Sequence, residues 1–294
     1  MTGLILKSLA GFYYVENESG EIIECKARGS FRANNISPKV GDTVSFSMSG
    51  ENKGIIDEIA FRNNELTRPP VANIDKLFIV VSTTEPLPNF LQIDELVVAA
   101  EYVGIEPVVV VSKTDKTLND DIFKIYSLAG FKVYNAITDT KKISDEMKGC
   151  ISAVCGNSGV GKSTLLNRLG VDAEIETGEI SKKLGRGRHT TRVVELHKLP
   201  LGGYIADTPG FTVAQTERYV SFYKDELEDY FREFSEYKIQ CKFLGCSHTG
   251  EKGCAVRAAV DSGKISESRY KNYNEIYNRI KNIHKWQIKN GGNL

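Results

Sequence analysis

Gly156-Asn157-Ser158-Gly159-Val160-Gly161-Lys162-Ser163-Thr164 is the stretch that decides how this chain is read. It fits G-x-x-x-x-G-K-S/T, a phosphate-binding loop. Cys150-Ile151-Ser152-Ala153-Val154-Cys155 before it is apolar enough for a buried strand, and Leu165-Leu166-Asn167-Arg168-Leu169 after it reads as a helix. The motif needs this order of strand, glycine-rich loop and helix. Glycines let backbone N–H groups face phosphate oxygens where side chains would block them, and the helix N-terminus adds positive potential. Lys162 would reach the β- and γ-phosphates, and the Ser163 hydroxyl would ligate Mg²⁺.

Upstream, strands alternate with helical patterns. Leu77–Val81, Val108–Val111 and Lys132–Tyr134 read as strands; Ile93–Val103 and Asp120–Ala129 have helical spacing. Such alternation predicts a parallel, doubly wound sheet with ligand at the strand carboxyl ends. At one of those ends stands Ser112-Lys113-Thr114-Asp115, which resembles the guanine-reading N-K-x-D. Asp115 would accept hydrogen bonds from guanine N1–H and the N2 amino group, and Lys113 would lay its stem along the ring. The usual Asn is Ser112 here, a shorter side chain to brace the loop. Asn135-Ala136, at the next strand end, is a candidate for a further backbone contact to guanine.

Downstream, Ser181–Arg192 carries Lys182, Lys183, Arg186, Gly187, Arg188, His189, Thr190, Thr191 and Arg192, a cationic, Gly-broken stretch expected to be mobile. Tyr204-Ile205-Ala206 leads into Asp207-Thr208-Pro209-Gly210, the D-x-x-G of GTPases. Asp207 would hold Mg²⁺ and the Gly210 N–H would meet the γ-phosphate. Thr191, with Thr190 as the other candidate, would complete the Mg²⁺ shell. Phe211 stands where many GTPases place a water-orienting Gln, and Phe can neither donate to nor accept from water. His189 is the internal candidate to orient it. The expected catalytic set is therefore Lys162, Thr191, Gly210 and His189. The guanine motif precedes the phosphate loop, the reverse of an ordinary small GTPase, so the chain reads as a circular permutation.

At the N-terminal end, residues 1–68 read as all-β, with short strands at Gly11–Val15, Glu21–Cys25 and Thr43–Phe46 and turns at Ser19-Gly20, Gly41-Asp42 and Asn52-Lys53-Gly54. Several short strands in so little chain predict a small barrel of OB type. Lys26, Arg28, Phe31 and Arg32 mix cations and aromatics as an RNA-binding face would; equally, Phe31 is core and the cations are solvated. Arg68-Pro69-Pro70 marks a linker. Past Phe222 the pattern turns helical, and Tyr270, Tyr273, Ile276, Tyr277, Ile280 and Ile283 form an i/i+3/i+4 stripe suited to core or docking.

The same region holds Cys241, Cys246, His248 and Cys254. Three thiolates and one imidazole in C-x₄-C-x-H-x₅-C suit one closed, tetrahedral, structural Zn²⁺ site. Cys25, Cys150 and Cys155 have no partner pattern and are expected to be buried thiols.

Bulk composition permits these readings. The chain has 294 residues, room for two or three domains, and balances 38 Lys+Arg against 38 Asp+Glu. No global field announces a nucleic-acid partner. Locally, Lys238 to the end carries eleven Lys/Arg against four Asp/Glu, after six acids in Asp225–Glu236. That asymmetry permits RNA contact and equally a solvated face. No apolar run approaches the ~18 residues of a membrane span, and the N-terminus lacks a signal-peptide layout. A cytoplasmic protein with reduced thiols is expected.

The order S-K-T-D, G-N-S-G-V-G-K-S-T, G-R-G-R-H-T-T, D-T-P-G and C-x₄-C-x-H-x₅-C resembles the bacterial ribosome small-subunit-dependent GTPase A family (RsgA, also called YjeQ) across the whole chain. The resemblance implies an α/β multidomain protein: an OB-type RNA-binding barrel over residues 1–68, a circularly permuted P-loop GTPase domain over 69–221, and a helical zinc-binding domain over 222–294. It further implies hydrolysis of GTP to GDP stimulated by the small ribosomal subunit, contact with its rRNA late in maturation, and release of assembly factors. A monomer with no membrane partner is expected. The rival readings are an RNA-binding scaffold with structural nucleotide, and a tRNA- or translation-factor-like GTPase.

Overall fold

The computed structural model describes residues 1–33, 36–66, 70–117, 120–171, 194–206 and 222–283. The chain divides into two compact bodies. One comprises Met1–Leu77, Lys141–Cys155 and Lys162–Gly210; the other comprises Phe78–Thr140, Gly156–Gly161 and Phe211–Leu294.

The first body begins with a closed five-stranded barrel. Its strands are β1 (Thr2–Leu9), β2 (Phe12–Asn17), β3 (Ile22–Ala27), β4 (Thr43–Gly50) and β5 (Lys53–Ile59), in the order β1-β2-β3-β5-β4. A short helix, α1 (Gly29–Ala33), lies in the β3–β4 connection. The β3–β5 pairing is parallel and the others are antiparallel, which is the OB-type arrangement. Alternation does the rest: Ile5 faces Val15, Val15 faces Ile23, and these with Cys25, Val44, Phe46 and Ile56 fill the interior. Gly54 is required where the wall closes, because a Cβ there would lie 2.8 Å from Cys25 Sγ and 3.1 Å from the Phe46 ring. The turn expected at Asn52-Lys53-Gly54 falls at Glu51-Asn52, with Asn52 at φ +53°, and β5 already starts at Lys53. Phe31 is half-buried and the Lys26 and Arg28 side chains are exposed, Lys26 over the Phe12 ring and Arg28 paired to Asp57 at 2.7 Å. The Arg32 side chain lies outside the described set.

After β6 (Glu65–Leu66) and β7 (Val71–Ala72), the first body holds α4 (Thr140–Met147), β11 (Ile151–Cys155), α5 (Lys162–Arg168), β12 (Leu196–Lys198) and β13 (Tyr204–Ala206). β11 pairs parallel with β13, and β13 antiparallel with β12. The β12–β13 hairpin is fastened to the barrel. Glu16, 8% exposed, accepts from Lys198 at 2.8 Å and from the Tyr204 hydroxyl, and Lys7 pairs with Glu195. Burial works against the Glu16 charge, yet Lys198 and Tyr204 hold its carboxyl below the ordinary value; burial and that carboxylate push Tyr204 up to about 12.

In the second body β10 (Lys132–Asn135), β9 (Glu106–Ser112) and β8 (Lys76–Ser82, here from Phe78) lie side by side in that order, with β10 and β9 parallel. Val108 to Val111 are fully buried, as a strand covered on both faces must be. α2 (Phe90–Tyr102) follows β8, its N-terminus capped by the Asn89 side chain on the Gln92 N–H at 3.2 Å, and α3 (Asp120–Leu128) follows β9.

The C-terminal part of this body has two 3₁₀ segments (Lys224–Tyr230, Arg232–Phe234) and helices at Ser235–Lys238, Ala255–Asp261 and Glu267–Ile280. Phe222, Leu227, Phe231, Phe234, Val256, Ile265, Tyr273 and Ile276 pack with Val98 of α2. The tyrosine–isoleucine stripe feeds this core from the last helix, except Ile283, which lies past the helix end. The acidic run is partly consumed locally: Glu228 and Asp229 pair with Lys238, and Glu233 with Arg269. Cys25 and Cys155 are buried, Cys25 pushed up to about 11 by desolvation, but Cys150 is only half-buried, correcting the expectation for that thiol.

Candidate functional site

The loop Gly156–Gly161 leaves β11 and leads into α5. Two glycines are dictated by geometry. Gly156 has φ +139°, and a Cβ there would sit 2.4 Å from the Val80 carbonyl oxygen; Gly161 has φ +102° and faces Ser112. Asn157 is exposed, and its side-chain amide donates to Gln92 Oε1 at 3.2 Å. Val160 is buried, Gly161, Lys162 and Ser163 are half-buried, and Ser158, Gly159 and Thr164 vary from exposed loop to exposed helix start. Burial drives the Cys155 thiol at the base of the loop sharply upward, against the nearby Lys162 charge.

Ser112-Lys113-Thr114-Asp115 stands beside this loop. The Ser112 hydroxyl reaches the Val81 carbonyl oxygen at 3.2 Å and that of Val160. Thr83 braces the other side, its N–H donating to Ser112 O at 3.2 Å and its hydroxyl to Lys113 O at 2.9 Å. Lys113 has φ +56° and its ammonium donates to Glu85 O, while Asp115 is exposed. Thr114 donates to Asn135 Oδ1 at 3.0 Å, so the two strand-end loops are cross-linked. Asn135 Oδ1 also accepts from Ile137 N–H at 2.8 Å, and the Ala136 N–H donates to Val111 O at 2.9 Å. The result sets the glycine-rich loop beside an exposed carboxylate, an arrangement able to take a phosphate chain at one end and a hydrogen-bonding base at the other.

Cys241, Cys246, His248 and Cys254 converge, their ligand atoms all within 4.8 Å of one another. Zinc bonds of about 2.3 Å to sulfur and about 2.0 Å to nitrogen at a tetrahedral angle put S and N ligands about 3.5 Å apart. His248 Nδ1 is 3.6 Å from Cys241 Sγ and 3.4 Å from Cys254 Sγ, so the donor set and spacing fit Zn²⁺. The other ring nitrogen, Nε2, is 2.7 Å from Glu228 Oε2, a carboxylate placed to orient the imidazole. Backbone N–H groups of Ala255 and Arg257 donate to Cys241 and Cys254 sulfurs at 3.3 and 3.4 Å. Without a cation, burial pushes Cys246 up to about 12 and raises Cys254; a dication would favour their thiolates. The loop between the last ligands is fastened by Glu251, which accepts from Ser247 and the amides of Thr249 and Gly250. Burial opposes its charge, but these donors outweigh it and hold the carboxyl at about 2. All four ligands are protein side chains, as in a closed structural site.

Comparison with known proteins adds the lineage. The family model for the RsgA GTPase matches residues 59–217, and that for the RsgA N-terminal domain matches 2–56. The chain belongs to the RsgA family. It is 43% identical over 295 residues to the small ribosomal subunit biogenesis GTPase RsgA of Caldanaerobacter subterraneus, covering 98% of each chain. It is 43% identical over 291 residues to RsgA 1 of Listeria monocytogenes serotype 4b, covering 96% of this chain and 98% of that one. Among solved structures, YjeQ from Thermotoga maritima superposes with a TM-score of 0.79 at 34% identity, covering 96% of this chain and 99% of that one. The circularly permuted GTPase YloQ gives a TM-score of 0.78 at 32% identity over 96% of each. The inverted motif order is therefore that of a permuted GTPase.

His189, Thr190, Thr191, Asp207, Gly210 and the cations of 182–192 lie outside the described residues. Among the described residues no helix is long and apolar enough to cross a membrane. Sequence reasoning did not find Thr83, Gln92 or Glu228. Thr83 and Gln92 carry no motif, and Glu228 was one acid in an acidic run, so only folding could show which carboxylate meets His248.

Proposed function

We propose that this chain hydrolyses GTP to GDP and phosphate and acts on the small ribosomal subunit and its rRNA late in subunit maturation. One observation carries the reading: the strand-end S-K-T-D and the phosphate loop, distant in sequence, meet through Ser112 and Val160. A guanine reader beside a phosphate cradle is what GTP requires. Whole-length similarity to proteins named small ribosomal subunit biogenesis GTPases supports the partner.

In this reading the amides of Gly156–Gly161 and the Lys162 ammonium neutralise the phosphates, and Asp115 reads the base with Lys113 along the ring. Mg²⁺ bound with GTP would supply positive charge to neutralise the phosphates; Ser163, Thr191 or Thr190, and Asp207 would hold it. The Gly210 amide senses the γ-phosphate and His189 orients water. The division at 1–68, 69–221 and 222–294 assigns RNA contact to the barrel, chemistry to the middle and a zinc-held platform to the end. A monomer in the cytoplasm fits this work. The deciding experiment is GTP turnover with and without purified small subunits, alongside binding to subunits and to tRNA in GTP and GDP. Stimulation by subunits and GTP-dependent binding are expected. Binding to subunits that ignores the nucleotide would establish a scaffold instead, and binding to tRNA alone a translation-factor-like GTPase.

A further inference from the structure

The hairpin of β12 and β13 stands, in sequence, between the two stretches assigned above to the triphosphate. Its outer ends are Leu196 and Ala206, which face each other across the pair. Thr191 precedes Leu196 by five residues, and Ala206 directly precedes Asp207. Each strand has only three residues, and β12 is the outer strand of its sheet among the described residues. Strand pairing alone holds so short a ribbon weakly. The barrel supplies further support. The register of β1 on β2 shifts between Ile5 and Lys7, and at that irregularity Lys7 makes an antiparallel bridge to Glu195, beside the ion pair of their side chains. Glu16 of β2, a buried carboxylate, does more. One of its oxygens accepts from Lys198 of β12 at 2.8 Å and the other from the Tyr204 hydroxyl of β13. Lys198 and Tyr204 are directly opposed in the hairpin register. A single carboxylate therefore grips both strands at one cross-strand pair. A slip by one residue would carry one of those side chains to the other face, and Glu16 could no longer hold both.

We propose that Glu16, a barrel residue outside every nucleotide motif, is a positioning residue of the nucleotide site: it fixes the register of the β12–β13 hairpin and so favours the triphosphate over the diphosphate. This rests on the guanine-nucleotide reading above. A diphosphate engages the phosphate loop and the base reader and asks nothing of D-T-P-G. A triphosphate also needs the chain after Ala206 to bring the Gly210 amide to the γ-phosphate. β13 is aligned on β11 by three pairs, Ile151 with Tyr204, Ser152 with Ile205 and Ala153 with Ala206, and Glu16 holds Tyr204 at the first of them. Where the hairpin is free to shift, the cost of ordering it falls on γ-phosphate binding alone. Hydrogen bonds to an ionised acceptor are the strong kind, so one carboxylate can bias the register by an amount that the ligand would otherwise have to supply.

The test measures affinity for GDP and for the non-hydrolysable triphosphate guanylyl imidodiphosphate, with hydrogen exchange of the hairpin amides, in the full chain and in Glu16→Leu, Tyr204→Phe and the double variant. The triphosphate should bind Glu16→Leu on the order of fivefold more weakly, with GDP unchanged and exchange faster in Leu196–Lys198 and Tyr204–Ala206. Tyr204→Phe keeps the ring and loses only the hydroxyl. It should show a smaller shift of the same kind, and it serves in place of Glu16→Leu if that protein does not fold. Adding Tyr204→Phe to Glu16→Leu should change nothing further, because the clamp is already open. Equal weakening of GDP and triphosphate would mark a general loosening of the fold and would overturn the positioning role. So would an unchanged ratio of the two affinities in both single variants, tighter triphosphate binding, or fully additive losses in the double variant. Failure of the unaltered protein to bind GDP would overturn the guanine-nucleotide reading together with this one.

Discussion

Arg269→Met tests the cluster that locks the last helix to α2. Arg269 is fully buried, donates to Asp94 at 2.6 Å, and grips Glu233 through Nε and a second nitrogen at 3.2 Å. Asp94 also accepts from Tyr126 at 3.0 Å and Asn272 at 2.6 Å. The guanidinium lies 4.8 Å from the Phe231 ring centroid and 5.2 Å from that of Phe131. Taking one partner from a buried ion pair costs about 3–5 kcal/mol. Asp94 keeps two neutral donors, which favours the low end for that pair, but Glu233 loses both of its contacts to Arg269. Lost cation–π attraction adds about 2 kcal/mol, and a methionine sulfur among the same rings returns up to about 1 kcal/mol. The net expectation is a loss of about 5 kcal/mol near neutral pH. The loss should depend on pH. Complete burial already holds the Asp94 carboxyl above its ordinary value, and Arg269 is the largest influence pulling it back. In the variant the folded value rises further. A carboxyl with a raised folded value destabilises increasingly as pH climbs past its unfolded value, so the gap to wild type should widen as pH rises above the ordinary carboxyl range and narrow as pH falls back toward it. Urea unfolding by circular dichroism measures it, with hydrogen exchange in Phe90–Tyr102 and Glu267–Ile280 assigning the transition, because a chain of several parts need not unfold in one step. Asp94→Asn in the same chain should recover part of the loss. A penalty under about 1 kcal/mol, or one that does not change with pH, would refute the reasoning.

The exposed Asp115 carboxylate should set base preference: Asp115→Asn should lose roughly 10–100-fold in GTP affinity and gain xanthosine triphosphate binding in a direct titration, while unchanged selectivity would remove Asp115 from the base site. Glu228→Gln should weaken zinc retention by about 10–100-fold in competition with a chromogenic chelator, with wild-type retention showing that His248 needs no such orientation. Glu251 is held at about 2 against an ordinary 4.5, so its contribution is complete above about pH 4.5 and is lost as pH falls toward about 2; the difference in stability between wild type and Glu251→Gln should vanish over that window, and a constant difference would count against it. His189→Ala should keep GTP affinity and subunit binding but lose most subunit-stimulated turnover, whereas full recovery at higher subunit concentration would leave His189 an RNA contact only.

Local chemistry made much of this protein legible from its residues alone. Glycines at Gly156 and Gly161 announce a backbone that must approach phosphate, and the run Val108–Val111 announces a strand buried on both faces. C-x₄-C-x-H-x₅-C announces a tetrahedral metal site, because its donors are close enough in sequence to meet whatever the rest of the chain does. The order of these signals was enough to expose the permutation. What required the tertiary structure were contacts between residues whose meeting no periodicity encodes. Asp94 and Arg269 are separated by most of the chain, and each alone reads as one more charged residue on a helix; only packing desolvates them together. Glu228 became the partner of His248 as well as of Lys238 because a 3₁₀ turn carries it there, while its neighbours Asp229 and Glu233 meet cations alone among these partners. Ser112 looked like a shortened asparagine until the fold set the Val160 carbonyl within reach of its hydroxyl. The physical difference is range: backbone geometry and metal spacing are written within a few residues, whereas desolvation and charge pairing depend on which distant segments the core draws together.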